Sequence, residues 1–193
     1  MSIQNQKTTA DYLEWNSALI LLQKLEQDGE HLFAMLLCVG MNTGLRFSDI
    51  LTLRWTDLTD AETVNLLEKK TKKATEIKIN SNLKEFSKKI FEKLHLPDGN
   101  ALIFLNKKGQ KVISIQYINR RLKEIKITYK LKIKNISTHT FRKTFGRHVW
   151  EIHNQSERAL ILLSELFNHS NISVTKRYLG IRHEELMEVY DLL

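Results

Sequence analysis

Apolar residues recur at helical spacing along most of the chain. Leu13, Leu19, Leu22 and Leu25 mark one side of a helix that ends near Gln27, with Thr8 or Thr9 as its cap. His31–Asn42 is apolar almost throughout and reads as a buried helix. Thr43-Gly44 breaks that pattern, and a short helix from about Arg46 to Leu53 follows, buried through Ile50, Leu51 and Leu53. The period then changes. TVNLLEKKTKKATEIKIN holds two short runs around a basic turn, with alternation in ATEIKIN, which predicts a hairpin. Helices are predicted at about Asn82–Lys93 and Ser114–Lys126, with a short strand at Ala101–Leu105 between them. From Ser137 onward the pattern is helical: about Thr138–His153, Glu157–Phe167, Ser173–Leu179 and Arg182–Leu192. The first of these carries Phe141, Phe145, Val149 and Ile152 as an apolar stripe. The expected fold is mostly α with a small antiparallel β-sheet.

The 193 residues suffice for one good-sized core. One Pro and seven Gly leave no linker, and there is no internal repeat, so a single domain over residues 1–193 is expected. The lone Cys38 sits among apolar neighbours and cannot form a disulfide within the chain, which suits a reducing compartment. The longest apolar run, Leu32–Met41, is too short to cross a bilayer, and the N-terminus lacks the features of a signal peptide. A cytoplasmic protein with no membrane partner is expected.

Charge sharpens this picture. The formal net charge is +8, yet residues 1–62 carry four bases against nine acids. The excess therefore lies beyond them. Lys107–Lys134 alone holds ten bases, Arg120 and Arg121 among them, against the single acid Glu124. Clustered charge of one sign is the footprint of a polyanion partner, although a solvated basic face would look the same.

Four stretches could carry chemistry. In STHTFRKTFGRHVW, Ser137 or Thr138 is a helix cap. His139 and Arg142, three apart in the first turns, meet the free N–H groups that favour an anion. In NTGLRFSDILTLRW, Arg46 opens a helix and Asp49 lies one turn on, where it could orient the guanidinium fork. LLEKKTKKATEI sets Lys69, Lys70, Lys72 and Lys73 at a hairpin tip. In NHSNISVTKRYLGI, the turn at Asn168–Asn171 can bring His169 and Tyr178 together, with Ser173 capping the helix that carries Tyr178. A phenol with a pKa near 10 is a poor nucleophile at neutral pH, but cations beside it ease its ionisation, and attack on phosphate leaves a covalent ester. Taken singly, each stretch also fits an ordinary surface or core.

Their order resembles the catalytic domain of the tyrosine recombinase, or phage integrase, family. TGLRFSDILTLRWTDL is similar to that family's first arginine box, HTFRKTF to its second, and LFNHSNISVTKRYLGI to its His-to-Tyr segment. The resemblance runs from about Thr43 to Ile181 and implies that family's catalytic-domain fold. It implies that Arg46 and Arg142 grip the scissile phosphate, with Asp49 behind Arg46. Lys70 would protonate the leaving 5′-oxygen, with Lys72 as the other candidate. His139 would act as base and phosphate ligand, His169 would donate a hydrogen bond, and Tyr178 would become joined to the DNA 3′-phosphate. Lys72, Lys73, Arg120, Arg121, Lys143, Lys176 and Arg177 are expected DNA contacts. The partners implied are double-stranded DNA and further copies of the chain, a tetramer on DNA. No cofactor or ATP is implied. No metal is expected either, since the seven His are scattered and Cys38 is alone.

The sequence departs from the family's pattern in three ways. The N-terminal core-binding, SAM-like domain is expected to be absent. Asp49 replaces the commoner Glu, and Phe167-Asn168 replaces Leu-Gly before His169. A C-terminal helix with Leu186, Val189, Tyr190 and Leu193 on one side would either dock on a neighbouring protomer or fold back on its own core. Two other readings stay open, a catalytically silent DNA-binding accessory module and a basic scaffold.

Overall fold

The computed structural model describes residues 10–95, 98–106 and 108–193. The proposed caps Thr8 and Thr9, and Lys107 of the basic segment, lie outside the described residues. Helices α1 (Trp15–Gln27) and α2 (His31–Thr43) pack together, and α2 also meets α5 (Ser81–Lys93) and α7 (Thr138–Ile152). Every residue from Phe33 to Met41 is buried, which is why that stretch reads as apolar all round. Two short helices, α3 (Phe47–Ile50) and α4 (Trp55–Thr59), lead into the hairpin of β1 (Thr63–Leu67) and β2 (Ala74–Lys78). The strands pair antiparallel with Val64 opposite Ile77, both turned inward. Helices α6 (Ile115–Thr128), α8 (Glu157–Leu166), α9 (Ile172–Leu179) and α10 (Ile181–Asp191) complete the described fold.

Two apolar clusters organise these elements. The larger joins α1–α6 and reaches Phe141. The smaller gathers Leu160, Leu163, Phe167, Leu179 and Ile181, with Phe145, Val149 and Tyr178 packed on it. Helix α7 serves both, so its stripe divides along its length instead of facing one core.

Several expectations need correction. Ala101–Leu105 is no strand: its pairing is limited to isolated bridges, Arg54 with Leu102 and Leu105 with Val112. The Arg46–Leu53 helix is confined to four residues. Leu19 is exposed because α1 presents Ala18, Leu21 and Leu25 to the core. Ile152 is exposed because it lies past the small cluster, in the last turn of α7. The cap of α9 is Asn171, not Ser173; its side chain accepts from Val174 N. Helix α10 does not bury Leu186, Val189 or Tyr190, which are 50%, 55% and 70% exposed, so it is not folded onto its own core.

Candidate active site

Local sequence sets the frame of the site. Gly44 ends α2 at φ +63°, a conformation costly to other residues, and a β-carbon there would meet the Phe145 ring at 2.5 Å. The chain therefore turns tightly against α7 and delivers Arg46 to the start of α3. Ser137 caps α7 with its side-chain oxygen, which places His139 and Arg142 in the opening turns. At the far end of α8, Asn168 adopts φ +51°, the left-handed turn that Asn tolerates and that Gly would otherwise supply.

These elements bring the two arginines to a single carbonyl. Phe167 O accepts from Nη2 of Arg46 at 2.9 Å and from Nη2 of Arg142 at 2.9 Å. Phe167 is the C-cap of α8, and the negative end of a helix dipole suits two cations. The other Nη of Arg142 donates to Gly44 O, and its guanidinium lies 4.1 Å from the centroid of the Phe167 ring. Arg142 is buried, and burial, then the charge of Arg46, draws its pKa down to about 10. It stays a cation at neutral pH.

His169 and Tyr178 do meet. Their rings make an edge contact with centroids 5.3 Å apart, and the Phe167 ring meets both. His169 Nδ1 lies 2.9 Å from Thr175 Oγ1. Burial, followed by Arg142, Arg46 and Lys70, lowers the His169 pKa to about 4. The Tyr178 hydroxyl is buried without a hydrogen-bond partner, and burial raises its pKa to about 12 against the opposing pull of Arg142 and Arg46. Arg142 is near enough to act through its charge but makes no well-formed bond to it. His139 keeps an exposed face. Partial desolvation, then Arg142, Lys143, Lys70 and Arg46, lowers its pKa. Lys70 itself is exposed on the β1–β2 turn, and its charge reaches both histidines.

Several residues have other partners than their sequence suggested. Arg46 pairs not with Asp49 but with Glu68, Nη1 to Oε2 at 2.5 Å. Asp49 is buried and accepts from Lys69 N at 2.9 Å, bracing the turn beside Lys70. Glu68 escaped notice because a single acid in a run of lysines reads as surface; its partners come from across the fold. Lys143 is buried, with Nζ 5.3 Å from the Tyr178 ring centroid, so it faces the site and not the solvent. Arg121 is tied to Glu30 and Glu124, and Lys176 to Glu185. Lys72, Lys73, Arg120 and Arg177 are exposed. Arg142 and Arg46, whose charges act on the tyrosine, and Lys143, over its ring, all come from other elements. Among the described residues, no group of three or more His, Cys, Asp or Glu side chains could hold a metal ion, and no helix is long and apolar enough to cross a membrane.

Comparisons with known proteins agree on one relationship. The model of the phage integrase family matches residues 12–185. A probable integrase/recombinase of Bacillus subtilis (strain 168), YoeC, is 34% identical over 151 residues, covering 78% of each chain. The tyrosine recombinase XerC of Thermodesulfovibrio yellowstonii is 28% identical over 159 residues, and the match spans 78% of this chain but 50% of the relative. The crystal structure of XerA recombinase superposes with a TM-score of 0.70 at 17% identity, covering 96% of this chain and 65% of that one. A lambda integrase dimer bound to a COC' core site gives a TM-score of 0.65 at 17% identity, covering 91% and 49%.

Proposed function

Since the chain belongs to the phage integrase family and has the fold of tyrosine recombinase catalytic domains, we propose that it cuts and rejoins DNA strands through a covalent 3′-phosphotyrosine at Tyr178. The observation that carries this reading is the convergence of Arg46 and Arg142 on Phe167 O, beside a buried Tyr178 hydroxyl that lacks a partner. Guanidinium N–H groups not spent on that carbonyl, on Glu68 or on Gly44 O suit the two non-bridging oxygens of a phosphodiester. A phosphate held there would give the orphaned hydroxyl its neighbour.

In the reaction, Tyr178 Oη forms a bond to phosphorus while its proton passes to His139. With a lowered pKa, His139 is unprotonated at neutral pH and can accept it. The bond from phosphorus to the 5′-oxygen breaks, and that oxygen takes a proton from Lys70. His169 donates a hydrogen bond to the phosphate. The transition state is stabilised by charge already in position. The ester conserves the bond energy, so a 5′-hydroxyl from another strand reverses the step with the same groups and without ATP.

Double-stranded DNA is the partner, held largely through its phosphates by Lys72, Lys73, Arg120 and Arg177. The exposed apolar side of α10 supports assembly with further copies, a tetramer on DNA. The match spans half the length of the XerC relative. The test is a nicked suicide substrate from which the cleaved end diffuses away. A protein–DNA adduct that survives denaturation, and is lost in Tyr178→Phe, supports the reading. Salt-sensitive DNA binding without any adduct would instead mark a binding module that does no chemistry.

A further inference from the structure

Glu68 is 1% exposed and stands where three separate stretches of chain meet. Its Oε2 accepts from Arg46 Nη1 at 2.5 Å and from Thr71 Oγ1 at 2.6 Å. Its Oε1 accepts from Asn168 Nδ2 at 3.0 Å and from Thr75 Oγ1 at 3.3 Å. A carboxylate has acceptor sites for all four donors. Those bonds and the Arg46 charge outweigh the burial that opposes them, and they hold its pKa below the usual carboxylate value. Glu68 is therefore a fixed anion.

The same residue opens the turn that carries Lys70. Its backbone closes that turn twice, Glu68 N to Lys73 O at 3.0 Å and Lys72 N to Glu68 O at 2.9 Å. Lys70 lies between two anchored neighbours, with Lys69 N held by Asp49 and the Thr71 hydroxyl held by Glu68. Lys70 has a flexible, exposed side chain and no ion pair among the described residues. What aims its ammonium is the backbone from which it springs. A buried carboxylate joining that backbone to Arg46 sets the proton donor in register with the phosphate clamp.

We propose that Glu68 is a positioning residue for proton delivery: through Thr71 it holds the β1–β2 turn where Lys70 can reach the leaving 5′-oxygen. The proposal rests on the strand-cleavage reading above. It assigns Glu68 a role beyond steadying Arg46, which has a second, separate bond to Phe167 O.

The test uses two suicide substrates, one ordinary and one with sulfur in place of the bridging 5′-oxygen. With ordinary DNA the departing oxygen needs the Lys70 proton. With sulfur, the P–S bond breaks and the thiolate leaves with its electron pair, unprotonated. Glu68→Gln keeps size and removes charge; Thr71→Val cuts the link to the turn without touching Arg46. Both are expected to slow adduct formation on ordinary DNA by up to about 100-fold, the cost of misplacing a reacting group by about 1 Å. Both should return to near the wild-type rate on the sulfur substrate, as Lys70→Ala should, whereas Arg46→Ala should not. A defect that persists with sulfur, or no defect in either variant, overturns the proposal. Circular dichroism melting checks that the variants are folded, and loss of folding in Glu68→Gln leaves Thr71→Val to decide. If the wild-type protein forms no adduct with either substrate, the strand-cleavage reading fails first and the role of Glu68 falls with it.

Discussion

Asn168 performs two separable tasks. Its backbone sits at φ +51°, and its side-chain amide donates to Glu68 Oε1 at 3.0 Å. Asn168→Gly removes the second task and keeps the first. Asn168→Ala removes both. A hydrogen bond to a charged, buried acceptor contributes about 1.5–3 kcal/mol, so Asn168→Gly should destabilise the fold by about that much. Alanine adds roughly 1–2 kcal/mol for the left-handed backbone. Glycine, in turn, loses about 0.4–1 kcal/mol to the freedom of its unfolded chain. The difference leaves alanine the worse variant by about 1 kcal/mol. Urea unfolding followed by circular dichroism measures both, and an unchanged slope with denaturant shows that the shift in midpoint is a change in stability. Equal midpoints for the two variants would show that the turn is not held in the left-handed region. An Asn168→Gly midpoint equal to wild type would show that the bond to Glu68 contributes nothing.

Other consequences follow from the same geometry. Arg142→Lys cannot span Gly44 O and Phe167 O with one ammonium, so adduct formation should fall by about 100- to 1,000-fold; a loss under tenfold would argue against the clamp. The His169 pKa is depressed from 6.5 to about 4, so the folded state favours its neutral form. The stability this contributes is complete above the unfolded pKa near 6.5 and is lost as pH falls toward 4. Unfolding free energies at pH 7 and pH 4.5 should therefore differ more for wild type than for His169→Gln, and equal differences would refute the assignment. Arg120→Glu should weaken binding to every duplex alike and flatten the salt dependence, while Arg121→Glu should do so less, because Glu30 and Glu124 already occupy it. Anisotropy titrations at several salt concentrations separate the two, and a sequence-selective loss in Arg120→Glu would sink the phosphate-contact reading.

Much of this molecule is local in origin and could be read from the chain. Helix periods, the Gly44 turn, the Ser137 cap and the hairpin around the lysines depend on residues within a few positions of one another. The order of the two arginine boxes and the His-to-Tyr segment was equally plain in the sequence. What needed the tertiary structure were the partners. Asp49 lies one turn from Arg46, yet Glu68 holds it, because the hairpin folds back over the start of α3. Lys143, in a run of polar residues, is buried against Tyr178, because α7 passes between two apolar clusters. The carbonyl that gathers both guanidiniums belongs to a phenylalanine, a residue whose side chain announces only a core position. Backbone oxygens carry no signature in a sequence. A carboxylate paired across twenty-two residues looks the same there as one in water. Sequence determined which groups could do chemistry, and packing decided which of them stand together, because burial and ion pairing depend on distances in space that separation along the chain does not record.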